Sequence, residues 1–159
     1  SNSINKRVLM GAAFLLGAVF NGAIYFVQAD QVILMMSLAV VGEFFAGMMP
    51  VLFFSMLGDT ADYSEWKTGR RATGLVFSSS SMSQKMGWTL GGAITGWLLA
   101  AYGFEANADQ TTESLKGIRL MISIYPAVGA LLSAAFLIKY KLSDRFMQDI
   151  GAELDEKRA

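Results

Sequence analysis

The chain has 159 residues, of which 53% are hydrophobic and 16% charged, and its mean hydropathy is +0.42. This composition is far more apolar than that of a water-soluble domain of this length, so a membrane is the expected solvent. Thirteen Lys and Arg balance thirteen Asp and Glu, and Cys and His are absent, which argues against nucleic-acid binding, disulfides, thiolate catalysis and the usual zinc sites.

Four apolar stretches follow one another along the chain, and each is long enough to cross a bilayer. A hydrocarbon core about 30 Å thick requires about 20 helical residues, and the backbone in lipid must satisfy its own hydrogen bonds. We therefore predict an all-α membrane protein with four transmembrane helices. The spans cover about 8–27, 32–57, 72–102 and 120–138 within a region of 6–141, between an expression scar or lead-in at 1–5 and a polar tail or surface helix at 142–159.

The positions of the cations predict the orientation of these spans. Lys and Arg concentrate before the first span, between the second and third, and after the fourth. The other two connections are acidic or nearly uncharged. By the positive-inside rule, both chain ends and the middle connection lie in the cytoplasm. The cations concerned are Lys6, Arg7, Lys67, Arg70, Arg71, Lys139, Lys141 and Arg145.

The third span carries a lysine where an apolar residue is expected. Lys85 lies about 20 Å along the helix, near the middle of a bilayer, where a lysine costs about 2.5 to 3.5 kcal/mol on insertion scales. Ser78, Ser81 and Gln84 share a helical face with it at spacings of three and four. This face suits a water-filled cavity or a hydroxyl-rich ligand. The alternative is a lysine that pairs with a carboxylate only to hold helices together.

The second span carries a carboxylate at a similar depth. Glu43 lies about twelve residues into the span, and Pro50 follows seven residues later, where it removes a backbone hydrogen bond. The sequence leaves three roles open for Glu43: a proton carrier, an acceptor for ligand hydroxyls, or the partner of Lys85.

A compact charged block separates the second and third spans. Three acids, Asp59, Asp62 and Glu65, precede three cations within thirteen residues, and on a continued helix the acids would form one stripe. Such a block is often only a solvated loop. Because it adjoins two helix ends, we favour a cytoplasmic gate whose ion pairs break when a transporter opens inward. The cations of this block are Lys67, Arg70 and Arg71.

This block resembles the glycoside-pentoside-hexuronide:cation symporters, a family of the major facilitator superfamily. The resemblance is carried by the run from Asp59 to Arg71, DTADYSEWKTGRR, then by Gly74 and Phe77, and then by Gln84, Lys85 and the glycines that follow. It covers essentially the whole chain. The four spans then correspond to helices 9–12, the last third of a twelve-helix fold.

The resemblance implies a transporter rather than an enzyme. Lys85 and Ser81 would lie beside the sugar and its coupling cation, Na⁺ or H⁺, and Asp59, Asp62, Glu65 and Arg71 would form the network that closes the cytoplasmic side. No covalently bound cofactor is implied. The expected surroundings are a bacterial inner membrane, a sugar or glycoside substrate and the amino-terminal half of the same transporter. The chain would be a carboxy-terminal fragment that is inactive alone.

Two other functions remain as alternatives. A free-standing four-helix drug/proton antiporter would use Glu43 as its essential acid, although such proteins place this acid in the first helix. A membrane scaffold subunit would pair Lys85 with a buried acid of its partner.

Overall fold

A computed structural model describes residues 5–28 and 30–158, and its regular structure is helical. Helix α1 is Lys6–Ile24, and the much longer helix α2 is Val32–Thr68. The remaining helices are α3 Thr73–Ala101, α4 Thr112–Ile122, α5 Ile124–Leu137 and α6 Asp144–Arg158.

Helix α1 forms the centre of the bundle, between α2 and α5. Its buried residues are mostly small and include Ala13 and Ala18, which lets neighbouring helices approach closely. On the α2 side, Gly42 faces Phe20, and a Cβ at Gly42 would lie 3.6 Å from that side chain. Asn5 begins α1, because its side chain accepts a hydrogen bond from the backbone N–H of Arg7 at 3.0 Å.

Helix α2 is longer than the predicted second span, because it continues through Pro50 and through the charged block as far as Thr68. At 37 residues it is about 56 Å long, nearly twice the thickness of a hydrocarbon core. Its charged last third therefore extends beyond the bilayer. Gly69 ends the helix in the left-handed conformation, with φ of 68°, and its N–H bonds the carbonyl of Glu65 at 2.8 Å.

Helix α3 is held mainly near its ends and has no buried residue. Near its start, Phe77 stacks on Phe54 of α2 with 6.4 Å between ring centroids. At its end, the Tyr102 ring packs so closely on Gly117 of α4 that a Cβ there would overlap the ring. By contrast, a Cβ at any of four glycines in the second half of α3 would meet open space: Gly87, Gly91, Gly92 and Gly96.

The predicted fourth span is made of two helices. Helix α4 begins at Thr112, eight residues before the predicted start at 120, because Thr111 caps it by accepting a hydrogen bond from the N–H of Ser114 at 3.1 Å. Ser123 separates α4 from α5, with φ of −122° and ψ of −73°. The two together are 26 residues long.

The polar tail forms a helix that packs on α2. Met147, Ile150 and Leu154 are buried and recur at spacings of three and four, so they form one apolar stripe on α6. This stripe packs against Tyr63, Trp66 and Leu142. The tail is therefore the surface helix of the two alternatives, and it covers the part of α2 that carries the charged block.

Three helical segments among the described residues are long and apolar enough to cross a membrane: Lys6–Ile24, Val32–Thr68 and Thr112–Leu137. At 29 residues α3 is also long enough, but its serines, Gln84 and Lys85 lower its hydropathy. The composition of the helices therefore supports three of the four predicted spans.

Candidate functional site

Lys6 joins three helices at the charged end of the bundle. Its ammonium group donates to both carboxylate oxygens of Asp59 on α2, at 2.9 and 2.7 Å. Its backbone N–H donates to Asp144 of α6 at 3.0 Å, which satisfies a free donor at the start of α1 with a negative charge. Both carboxylates are largely shielded, with 15% of each side chain exposed. We call Lys6, Asp59 and Asp144 the Lys6 cluster.

The phenol of Tyr140 lies beside the Lys6 cluster. Its hydroxyl is buried and makes no hydrogen bond with the part of the chain that the structure describes. Burial, together with the negative charges of Asp59 and Asp144, raises the pKa of Tyr140 to about 12. The Tyr140 phenol is therefore neutral at physiological pH.

Tyr140 predicts a loss of stability at high pH. An unfolded tyrosine ionises near pH 10, whereas the folded one holds its proton until about pH 12. The folded state binds more protons between these values, so stability that is fully present below pH 10 falls as the pH rises to 12. The midpoint of thermal unfolding in detergent should therefore drop more from pH 9 to pH 11.5 in the native chain than in Tyr140→Phe. Equal drops would contradict the assignment.

Arg71 forms a second group of ion pairs across the turn between α2 and α3. Its guanidinium lies 3.4 Å from Asp62 and 3.7 Å from Glu65, and its Nε also donates to Thr73 at 3.1 Å. The left-handed cap at Gly69 reverses the chain, so that a residue beyond the helix reaches back to carboxylates inside it. We call Arg71, Asp62 and Glu65 the Arg71 cluster.

The predicted gate residues thus form two clusters rather than one. Asp59 belongs to the Lys6 cluster, and Asp62 and Glu65 belong to the Arg71 cluster. Arg70 is exposed and forms no ion pair within residues 5–28 and 30–158. All three acids lie on α2, whereas Arg70 and Arg71 follow its end.

The pairing of Lys6 with Asp59 and Asp144 was not predicted from the sequence. Lys6 was identified only as a cation that orients the first span, and Asp144 only as part of the tail. The positive-inside pattern placed Lys6 at the same end as the charged block, which was the available signal. Asp144 carried no such signal, because its position depends on how α6 docks.

Lys85 lies on an open polar face of α3. With Ser78, Ser81 and Thr89 it lines a shallow depression on that helix, together with Met82, Met86 and Leu90. Lys85 is exposed, and no carboxylate that the structure describes lies within ion-pair distance of its ammonium group. The depression is formed by one helix, so an opposite wall would have to come from outside the described chain.

The other two predicted pathway residues lie apart from this depression. Gln84 is exposed on α3 but does not line the depression. Glu43 is exposed on α2 and forms no ion pair with Lys85 in the described structure. Of the three roles considered for Glu43, that of partner to Lys85 is therefore not supported.

Comparison with known proteins identifies relatives over most of the chain. Residues 3–144 match the family described as MFS/sugar transport protein. The isoprimeverose transporter of Lactiplantibacillus pentosus is 42% identical over 120 residues, which are 76% of this chain and 25% of the relative. The glucuronide carrier protein homolog of Escherichia coli K12 is 32% identical over 123 residues, or 77% of this chain and 26% of the relative.

A shorter relative matches nearly the whole chain. A 29.9 kDa protein from the crtE 3′ region of Pseudescherichia vulneris is 32% identical over 152 residues, which are 95% of this chain and 56% of the relative. The chain thus spans between a quarter and just over half of the length of these relatives. No solved structure gives a significant match.

The family match covers the predicted spans and the charged block together, and two of the relatives are named as an isoprimeverose transporter and a glucuronide carrier homolog. This multi-pass membrane chain belongs to the glycoside-pentoside-hexuronide:cation symporter family of the major facilitator superfamily, as the Asp59 to Arg71 block predicted.

Proposed function

We propose that the chain is the carboxy-terminal part of a sugar:cation symporter, where it supplies one wall of the sugar pathway and part of the cytoplasmic gate. The observation that carries this proposal is the open face of α3, on which Lys85 stands among serine hydroxyls without a carboxylate partner in the described structure. A lysine at this depth is costly unless polar groups or water reach it.

In this proposal the cation is Na⁺ or H⁺, and the missing wall is the amino-terminal half of the same transporter. All four predicted spans, 8–27, 32–57, 72–102 and 120–138, cross a bacterial inner membrane, with both termini in the cytoplasm. Helix α3 crosses despite its modest hydropathy, because its polar face meets the pathway rather than lipid. The chain alone does not transport sugar.

Uptake by the longer parent tests the transport proposal. Proteoliposomes that contain the parent should accumulate a labelled glycoside when an inward Na⁺ or proton gradient is imposed, and should only equilibrate it without one. Vesicles that contain the 159-residue chain alone should not accumulate it. Gradient-independent uptake by the parent would contradict cation coupling, and accumulation by the chain alone would contradict the missing wall.

The Arg71 cluster gives a test of the gate. In the parent, Arg71→Ala should shift the carrier toward the inward-open state, because Asp62 and Glu65 lose the cation that holds α2 to the start of α3. Cysteine probes near the cytoplasmic end should then react several-fold faster. Arg70→Ala is the matched control, since it removes a neighbouring cation that forms no ion pair in the described structure. Equal rates in both variants would count against the gate.

A further inference from the structure

A groove between α1 and α5 combines an apolar channel with a cation at its mouth. Arg7 and Asn5 lie at one end of it. Farther along the groove, the residues that line each wall are three or four positions apart in the sequence, so each wall is one face of a helix. The walls include Val8, Gly11 and Leu15 of α1, Leu131 and Ala135 of α5, and Ile138 directly after α5.

Arg7 places a positive charge without an ion-pair partner in the described structure at one end of the groove. One guanidinium nitrogen of Arg7 donates to the carbonyl of Ile138 at 2.9 Å, which fixes the side chain over the end of α5. Arg7 forms no ion pair with any carboxylate that the structure describes, and Asp59 and Asp144 pair with Lys6. The other guanidinium N–H groups therefore remain available to an anion, and guanidinium binds phosphate oxygens in a bidentate manner.

The groove itself suits a hydrocarbon chain. Its volume is about 500 Å³, and from Arg7 to Leu15 it runs about 12 Å along α1. Val8, Leu131 and Ile138 expose 61%, 49% and 68% of their surface, and Gly11 and Ala135 between them carry at most a methyl group. The Leu137 side chain closes the floor of the groove at Gly11, where a Cβ would lie 3.7 Å from it. A bilayer would fill such a space with lipid tails rather than water.

We propose that this groove binds an anionic glycerophospholipid, whose phosphate pairs with Arg7 and whose acyl chain lies between α1 and α5. Basic groups at the headgroup level beside a cleft between transmembrane helices are the recognised arrangement for anionic headgroups. The exposed Lys139, which directly follows Ile138, adds positive charge at the same end. The site is separate from the depression on α3 and from both ion-pair clusters.

Native mass spectrometry of the 159-residue chain in detergent tests this site. Dioleoylphosphatidylglycerol should bind more tightly than dioleoylphosphatidylcholine. Arg7→Gln should weaken the phosphatidylglycerol complex about fivefold, as expected for one cation near the headgroup, and should weaken the phosphatidylcholine complex less, because the choline cation offsets the charge of the phosphate. Arg145→Gln, which removes a cation on α6 outside the groove, is the control and should change neither.

A second variant tests the apolar part of the groove. Ala135→Phe places a ring in the groove from an exposed position and should weaken both lipid complexes. If circular dichroism shows that Ala135→Phe loses helical content, Val8→Phe on the facing wall serves as the test instead. Three results would overturn the proposal. The first is equal binding of phosphatidylglycerol to Arg7→Gln and to the native chain. The second is full competition by glycerol 3-phosphate together with no effect of Ala135→Phe, which would mean that a free phosphate rather than a lipid binds. The third is disulfide cross-linking of two copies through Ala135→Cys, which would mean that a second copy of the chain occupies the groove.

Discussion

Replacement of Lys85 by valine in the longer parent should abolish cation-coupled sugar accumulation while the protein still inserts into the membrane. Removal of a charged hydrogen-bonding group from a desolvated site costs about 2 to 5 kcal/mol of binding, so affinity should fall by on the order of a hundredfold or more. The same substitution removes about 2.5 to 3.5 kcal/mol of insertion cost. Defective insertion therefore cannot explain the loss. The measurement is accumulation of a labelled glycoside in proteoliposomes.

Two control variants sharpen this experiment. Lys116→Val removes an exposed cation on α4, outside the α3 depression, and should leave accumulation unchanged. Lys85→Arg keeps the charge with a different shape, so it should retain more activity than Lys85→Val. Normal accumulation by Lys85→Val would show that the open face of α3 serves only for packing against the rest of the transporter.

The second large effect is expected at the docking site of α6. Ile150 is 2% exposed and lies in the centre of the stripe that contacts Tyr63 and Trp66. Ile150→Asp would lose about 1.5 to 3 kcal/mol of apolar burial and would also desolvate a carboxylate, which costs several kcal/mol more. Three buried side chains form the apolar core of this contact in the described structure, and Ile150 is the most buried of them, so we expect α6 to detach from α2.

Amide hydrogen exchange across residues 144–158 measures this detachment. Protection should collapse in Ile150→Asp and persist in Gln148→Asp, which places the same charge at an exposed position of α6. Detachment should also withdraw Asp144 from the N–H of Lys6, so protection at the start of α1 should fall with it. Unchanged exchange at both places would mean that the contacts of α6 are dispensable.

The comparison of sequence and structure is most instructive for α2 and α6. Hydropathy ended the second span at 57, because the charged residues that follow do not belong in lipid, yet the helix continues to Thr68. A helix needs only local hydrogen bonds and a permissive sequence, and Gly69 is the first residue that stops it. The tail at 142–159 had an apolar stripe that predicts a packed helix, but its partner, the surface of Tyr63 and Trp66, is distant in the chain.

The sequence by itself determined the membrane environment, the helical class, the family and the charged block, because hydropathy, charge bias and motif spacing are properties of neighbouring residues. Only the tertiary structure decided which charges meet. Lys6 and Asp59 are separated by 53 residues and Lys6 and Asp144 by 138, and ion pairs between helices depend on how those helices pack. The same reason separates Lys85 from Glu43: similar predicted depth in two helices does not place their side chains in contact.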